Sequence, residues 1–313
     1  MKSYFSLFFV IIFLQFSNAQ DIKSTNLEIN QFIDGTLLEP SEKTKTLAII
    51  IAGSGPTNRD GNSSIGKNNS LKLLAQHLAD NGVASFRYDK RILKLMREQK
   101  LDQSKLRFDN YVKDAADVVN YFKLYNNEEY GFEKFILIGH SQGALVAQLA
   151  SLKTAVTGLV LVCGSSKPIS EILVAQVAKQ APYLVSDLQT SLDSISAVGY
   201  VNKINPLLNT LLYKDVQPFL QSWMQYDPSE IAKQIIEPTL VIGGTTDIQV
   251  PAEEAKILAE HHQNGQYAII ENMNHVLKTI EDEGLENQKS YTDPNFPMSP
   301  EFKSEIITFI KSL

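Results

Sequence analysis

The chain has 313 residues, 35 of them acidic and 29 basic, with 43% hydrophobic side chains and one cysteine. That length can hold one large domain or two small ones and bury a sizeable core, and α/β architectures of this size routinely run as one unit. The acidic balance and the lack of a long basic run argue against nucleic acid or an anionic membrane as partner, leaving small neutral or cationic substrates open. A single cysteine, Cys163, excludes an internal disulfide.

The N-terminus reads as a secretory signal: Lys2 gives the positive start, residues 4–16 an apolar run, and Ser17-Asn18-Ala19 a small-residue cleavage site. A run of about 13 residues falls short of the ~20 that span a bilayer, so export with Gln20 as the new N-terminus is expected rather than a membrane anchor. No Cys follows the run, which disfavours a lipid anchor. Residues 26–33 and 36–38 flank Asp34-Gly35, a hairpin signal. The β-branched run 46–52 reads as a strand covered on both faces, and it opens into the loop 53–62. A helix over 70–81 shows Leu71, Leu74, Ala75 and Leu78 on one face and stops at Gly82. A strand over 83–88, the charged stretch Asp89-Lys90-Arg91 and a helix over 108–125 follow.

Residues 135–149 read FILIGHSQGALVAQL, a buried strand, a sharp turn and an Ala-rich helix. A serine at the apex of such a turn is strained, with its hydroxyl lifted above the sheet edge. Both flanking positions must be Gly, because a Cβ there would strike the neighbouring strand and helix. This is a nucleophile elbow with Ser141 at its tip. After a strand over 157–163 the alternation breaks: residues 167–234 hold helices around 169–180, 184–197, 206–213 and 216–225 and no buried strand. The pattern resumes with a strand at 238–243, a helix at 252–262 and a strand at 266–270. A polar loop over 281–300 and a closing helix over 301–313 follow. The expected fold class is α/β, a mostly parallel central sheet flanked by helices. A signal at 1–19 precedes a core of 20–166 and 236–313, and a helical cap over 167–235 is inserted before the acid.

A serine attacks an acyl carbon only when a base takes its proton, and an acid must hold that base in the right tautomer. In such a fold acid and base follow the serine in chain order, each after a later strand. Asp247 follows the strand at 238–243 and His275 the strand at 266–270, so Ser141, Asp247 and His275 are the catalytic candidates. His77 sits mid-helix, His261 and His262 end a helix where positive charge suits the dipole, and His140 flanks the serine on the wrong side of the turn. Asp227, the rival acid, stands before Pro228 like a helix cap, and Asp282 and Glu271 are less well placed. Two donors are needed for the oxyanion. Gln142 supplies the backbone N–H after the nucleophile, and Ser54 one from the earlier loop. No Lys-Ser/Thr pair follows Gly53-Ser54-Gly55, against a phosphate loop, and no His-x-x-x-His or His/Asp cluster points to a metal.

These residues resemble the α/β-hydrolase superfamily over nearly the whole chain after the signal. The matching segments are Gly139-His140-Ser141-Gln142-Gly143, Gly243 with Asp247, and Asn274-His275-Val276. Gly53-Ser54-Gly55-Pro56 with Arg59-Asp60-Gly61, and Arg87-Tyr88-Asp89-Lys90-Arg91, are similar to a bacterial subgroup of esterases and serine-aminopeptidase-like hydrolases. The resemblance implies an α/β-hydrolase fold and a lidded hydrolase of carboxylic esters or thioesters, with no cofactor and a small acyl ester as its partner. Ala52 stands where family members often carry His, and Ile92 where they often carry Gly; neither does the chemistry. Arg59 either pairs with Asp60 to brace its loop or meets an acidic substrate group. Leu173, Val177, Phe219, Trp223 and Met224 line an acyl pocket or form plain cap core. Removal of N-terminal residues from peptides is the alternative activity, for which a carboxylate binding the substrate amine would be the mark. A non-catalytic binding protein would be expected to lack one of the three groups. Ser in place of Asp at the elbow sets haloalkane dehalogenation aside.

Overall fold

The computed structural model describes residues 22–124, 131–282 and 284–313. The predicted signal at 1–19 and Tyr125, the predicted end of a helix, lie outside the described residues. Among the described residues eight strands form one sheet: β1 (Lys23–Asn30), β2 (Ile33–Glu39), β3 (Thr46–Ile51), β4 (Ala84–Tyr88), β5 (Lys134–His140), β6 (Gly158–Val162), β7 (Thr239–Gly244) and β8 (Gly265–Ile270). Their spatial order is β1-β2-β4-β3-β5-β6-β7-β8, with β1, β2 and β4 paired antiparallel and the rest parallel. The chain crosses to opposite sides of β3 to make β4 and then β5. Ligands in open parallel sheets bind where the strand order reverses in this way, at the carboxyl ends.

The apolar runs are continuous because both sheet faces are covered. Leu47, Ile49 and Ile51 of β3 pack toward one layer, and Ala48 and Ile50 toward the other. Helix α1 (Ser70–Asp80) lies on the second face. Then come α2 (Arg91–Arg97), which the charged stretch had not suggested, and α3 (Phe108–Leu124) and α4 (Gln142–Ser151) on the first. Helix α2 forms on charge as much as on apolar contact: Arg91 makes a two-bond pair with buried Asp114 at 2.8 and 2.5 Å.

The insertion contains α5 (Ile169–Gln180), α6 (Val185–Val198), α7 (Asn209–Leu212), α8 (Gln217–Trp223) and α9 (Pro228–Ala232). Ile169, Leu184, Leu188, Leu192, Ile195, Leu208, Leu212 and Leu220 form a separate core there. Ala232 and Ile235 instead join the sheet's own core, so the independent helical layer ends before α9. Asp227 caps α9, accepting from the amides of Ser229 and Glu230. The chain closes with α10 (Glu253–His261), α11 (Leu285–Ser290) and α12 (Pro300–Ser312).

Two local expectations are corrected. The first hairpin does not turn at Asp34-Gly35. It turns between Asn30 and Ile33, because the Asn30 Oδ1 accepts from the amides of Phe32 and Ile33 at 2.8 and 3.1 Å; Asp34 and Gly35 lie inside β2. The segment 281–300, expected as loop, carries α11.

Just past α10 stands His262, whose imidazole is buried with neither ring nitrogen hydrogen-bonded among the described residues. Burial, and then the neighbouring His261, push its pKa down to about 4 from the usual 6.5. The unfolded chain therefore takes up this proton first, and stability present above about pH 6.5 is lost as pH falls toward 4. Replacing His262 by Leu should raise the Tm by about 2–4 °C at pH 5 and flatten its fall with acid. Thermal melts that stay parallel to wild type across pH 4–7 would contradict this.

Candidate active site

The elbow is built by steric exclusion. A Cβ on Gly143 would lie 2.9 Å from the Ala52 carbonyl oxygen, and one on Gly139 2.7 Å from the Ala144 Cα, so only glycine lets β5 turn into α4 against β3. Ser141 at the tip has φ 55° and ψ −121°, a conformation that L residues adopt only under constraint. Its amide donates to the Val162 carbonyl of β6 at 2.8 Å, which fixes the turn to the sheet.

Asp247 and His275 come together from the loops after β7 and β8. Their Oδ2 and Nδ1 are 2.7 Å apart, with the side chains only 1% and 5% exposed. The second Asp247 oxygen accepts from the amides of Gln249 and Val250 at 2.8 and 3.0 Å. Burial pushes the Asp247 carboxyl up, but His275 and these two amides outweigh it and hold it below the ordinary carboxylate range. Ser141 and His275 stand on the wall of one cavity.

Asn274, which the sequence marks only as part of a matching segment, and His140, which it sets aside as a base, hold the pair in register. Asn274 is fully buried: its Oδ1 accepts from the amides of Val276 and Lys278, and its Nδ2 donates to Asn287 and Ser290 of α11. Asn287 in turn donates to the Thr246 carbonyl at 2.9 Å, so one side chain ties the loop before Asp247 to the loop before His275. His140 donates from Nε2 to the His275 carbonyl at 2.7 Å. Burial, then the nearby His275, push its pKa down to about 4, so it stays a neutral donor.

The loop after β3 passes over the serine; a Cβ on Gly53 would sit 3.1 Å from the Ser141 Cβ. Among the described residues neither the Ser54 nor the Gln142 amide has a protein acceptor. Buried Lys90 donates from Nζ to the carbonyls of Gly53 and Gly55, on either side of Ser54, and lies 5.7 Å from the centre of the Tyr111 ring. Since N–H and C=O point oppositely across a trans peptide, the bond to Gly53 turns the Ser54 amide away from the lysine. Burial brings the Lys90 pKa down to about 7. Arg59 does brace this loop, but not through Asp60: it pairs with Asp34 and Asp89, both at 2.7 Å, while Asp60 pairs with Arg87 at 2.8 Å.

Two further cavities reach this end of the sheet. One, of about 220 Å³, runs from Ser141 and Gln142 along Leu145, Ile169, Ile172, Leu173 and Trp223. Another, of about 320 Å³, includes Phe219 and Trp223. Of the five residues expected on an acyl pocket, Val177 and Met224 line neither and pack in the helical layer instead. One possible set of metal donors occurs among the described residues, with a ring nitrogen each of His140 and His275 and the Cys163 sulfur within 4.8 Å of one another. Both imidazoles already have partners, and burial, then Asp247, push the Cys163 thiol up, so it stays protonated and a poor ligand.

Residues 67–282 match the family described as serine aminopeptidase, S33. The chain belongs to that family. Among curated proteins it is similar to Esterase EstD of Thermotoga maritima, 24% identical over 257 residues; the match covers 78% of this chain but only 57% of the Thermotoga protein. Among solved structures it resembles Est1E from Butyrivibrio proteoclasticus (16% identity, 92% of this chain and 99% of that chain, TM-score 0.56). It also resembles the esterase Pf2001 of Pyrococcus furiosus (14% identity, 94% and 91%, TM-score 0.53). At these identities the likeness carries the fold, which is the α/β-hydrolase fold.

Proposed function

We propose that this S33 family member is an exported serine esterase acting through Ser141, His275 and Asp247. The observation that carries the reading is the strained serine sharing a cavity with an imidazole whose far nitrogen is held by a buried carboxylate. Ser141 Oγ attacks the ester carbon while His275 takes its proton; Asp247 keeps Nδ1 protonated and Nε2 free to accept. The amides of Gln142 and Ser54 receive the oxyanion. His275 then protonates the departing alcohol, and a water activated by the same base frees the acid. Helices 169–223 act as the cap, with Ile169, Leu173 and Trp223 on the acyl chain. The leader ends at Ala19.

Esterase named for the Thermotoga relative, rather than aminopeptidase named for the family, is favoured by the cavity walls. Among the described residues no Asp or Glu lines either cavity that Ser141 itself lines, and Asp215 lines the third, which holds Ser54 and Gln142 but not Ser141, so a substrate ammonium at the serine would find no carboxylate. The test compares p-nitrophenyl butyrate with alanine and proline p-nitroanilides. Ester turnover with little anilide cleavage is expected, and the opposite order would overturn the reading.

Lys90 acts as a positioning residue for the oxyanion site. Lys90→Met should lower kcat for the ester by about 10²–10³ with little change in KM, as loss of one oxyanion donor does. An unchanged kcat in the folded variant would remove this role.

A further inference from the structure

The cavity that Ser141 shares with His275 meets the more apolar one beneath the cap at Ser54, Ser141 and Gln249 and runs the other way from there. Its wall includes His275, which the apolar cavity lacks; the apolar cavity takes in Gln142 and Leu145 instead. A base that protonates the leaving oxygen must face the side on which the alcohol departs. On the esterase reading proposed above, the first cavity therefore holds the leaving group and the apolar one the acyl chain.

Its walls have a definite chemistry. Ser54, Ser63, Asn68, Ser70, Gln249 and Tyr291 supply hydroxyls and amides, and Ile65 and Val276 are the only aliphatic side chains. No Asp, Glu, Lys or Arg lines it among the described residues. The Tyr291 hydroxyl is buried beside Gln249, and burial raises its pKa, so it remains a neutral donor. The volume, about 230 Å³, lies under the roughly 300–1,000 Å³ of drug-sized ligand sites.

We infer that this cavity selects esters of small neutral polyols, a single sugar ring or a glycerol-sized alcohol, over esters of alkyl or charged alcohols. A polyol offers donors and acceptors to these hydroxyl and amide groups, whereas an alkyl chain takes them from water with no bond in return. A phosphate or ammonium would lose its water with no counter-charge in return.

The test uses the mature protein and one acyl group. Values of kcat/KM for 6-O-acetylglucose, monoacetylglycerol, ethyl acetate and acetylcholine are each divided by the ester's rate of alkaline hydrolysis. The sugar and glycerol esters should exceed the other two by roughly ten-fold or more. Tyr291→Phe and, at an exposed position, Gln249→Leu should each cut the sugar-to-ethyl ratio by about five-fold. Methyl glucoside should inhibit p-nitrophenyl acetate hydrolysis competitively, a measurement that needs no variant to fold. Equal or reversed preference, or a ratio unmoved in both variants, overturns the inference. A wild type that labels with fluorophosphonate and cleaves p-nitrophenyl acetate without polyol preference sinks only this inference. One that does neither sinks the esterase reading as well.

Discussion

Ser141→Ala is expected to lower kcat for a p-nitrophenyl ester on the order of 10⁶-fold while leaving the Tm close to wild type. The chemical loss is large because no other nucleophile stands at the elbow, and removal of the serine in a comparable triad costs about that much. The thermal effect is small because alanine keeps a Cβ at φ 55° and inherits the same strain. Ser141→Gly separates the two effects. Glycine takes up this conformation freely, so activity should vanish while the Tm rises, by an amount corresponding to about 1–3 kcal/mol of relieved strain. Initial rates on purified variants, read beside calorimetric melts, measure both. Residual activity in Ser141→Ala near the wild-type level would place the chemistry elsewhere.

Asp247→Asn should cost about 10⁴ in kcat with KM little changed, and the direction follows from where the backbone donors lie. One Asp247 oxygen faces two N–H groups, those of Gln249 and Val250, and the other faces His275 Nδ1. An asparagine here must keep its carbonyl oxygen on the two amides, so its NH₂ faces the imidazole. That forces Nδ1 to accept and leaves the proton on Nε2, where it cannot take the serine proton. The backbone thus removes the amide flip that would rescue the variant. The variant should also label with fluorophosphonate far more slowly than wild type. An Asp247→Asn enzyme within about ten-fold of wild type would show that this carboxylate does not orient the base.

The elbow was readable because its constraint is local: three backbone segments meet at Gly139 and Gly143, and only a residue without a Cβ fits. Asp247 and His275 were readable because strand patterns fixed which loops end at the same sheet edge. What escaped was pairing between polar groups far apart in sequence. Arg59 reaches Asp34 and Asp89 rather than its neighbour Asp60, and no spacing rule encodes that choice. Asn287 sits in a polar stretch that reads as loop, yet it links the carbonyl of Thr246 to Asn274 and is fully buried. Lys90 reads in the sequence only as part of the charged stretch Asp89-Lys90-Arg91, and its burial comes from where β4 ends relative to the loop over Ser141. The turn at Asn30 lost to Asp34-Gly35 in the sequence because a side-chain carbonyl capping two amides leaves a weaker composition signal than Asp-Gly. Val177 and Met224 shared the helical period of the lining residues, but that period does not say which buried side of a two-sided helical layer faces the sheet.

The most direct measurement is fluorophosphonate labelling followed by intact mass and peptide mapping on wild type, Ser141→Ala and His275→Ala. A single adduct on Ser141 is expected in wild type, none in Ser141→Ala, and one forming at least about 10³-fold more slowly in His275→Ala. No adduct in wild type, or an equal adduct in Ser141→Ala, would contradict a reactive serine driven by that imidazole.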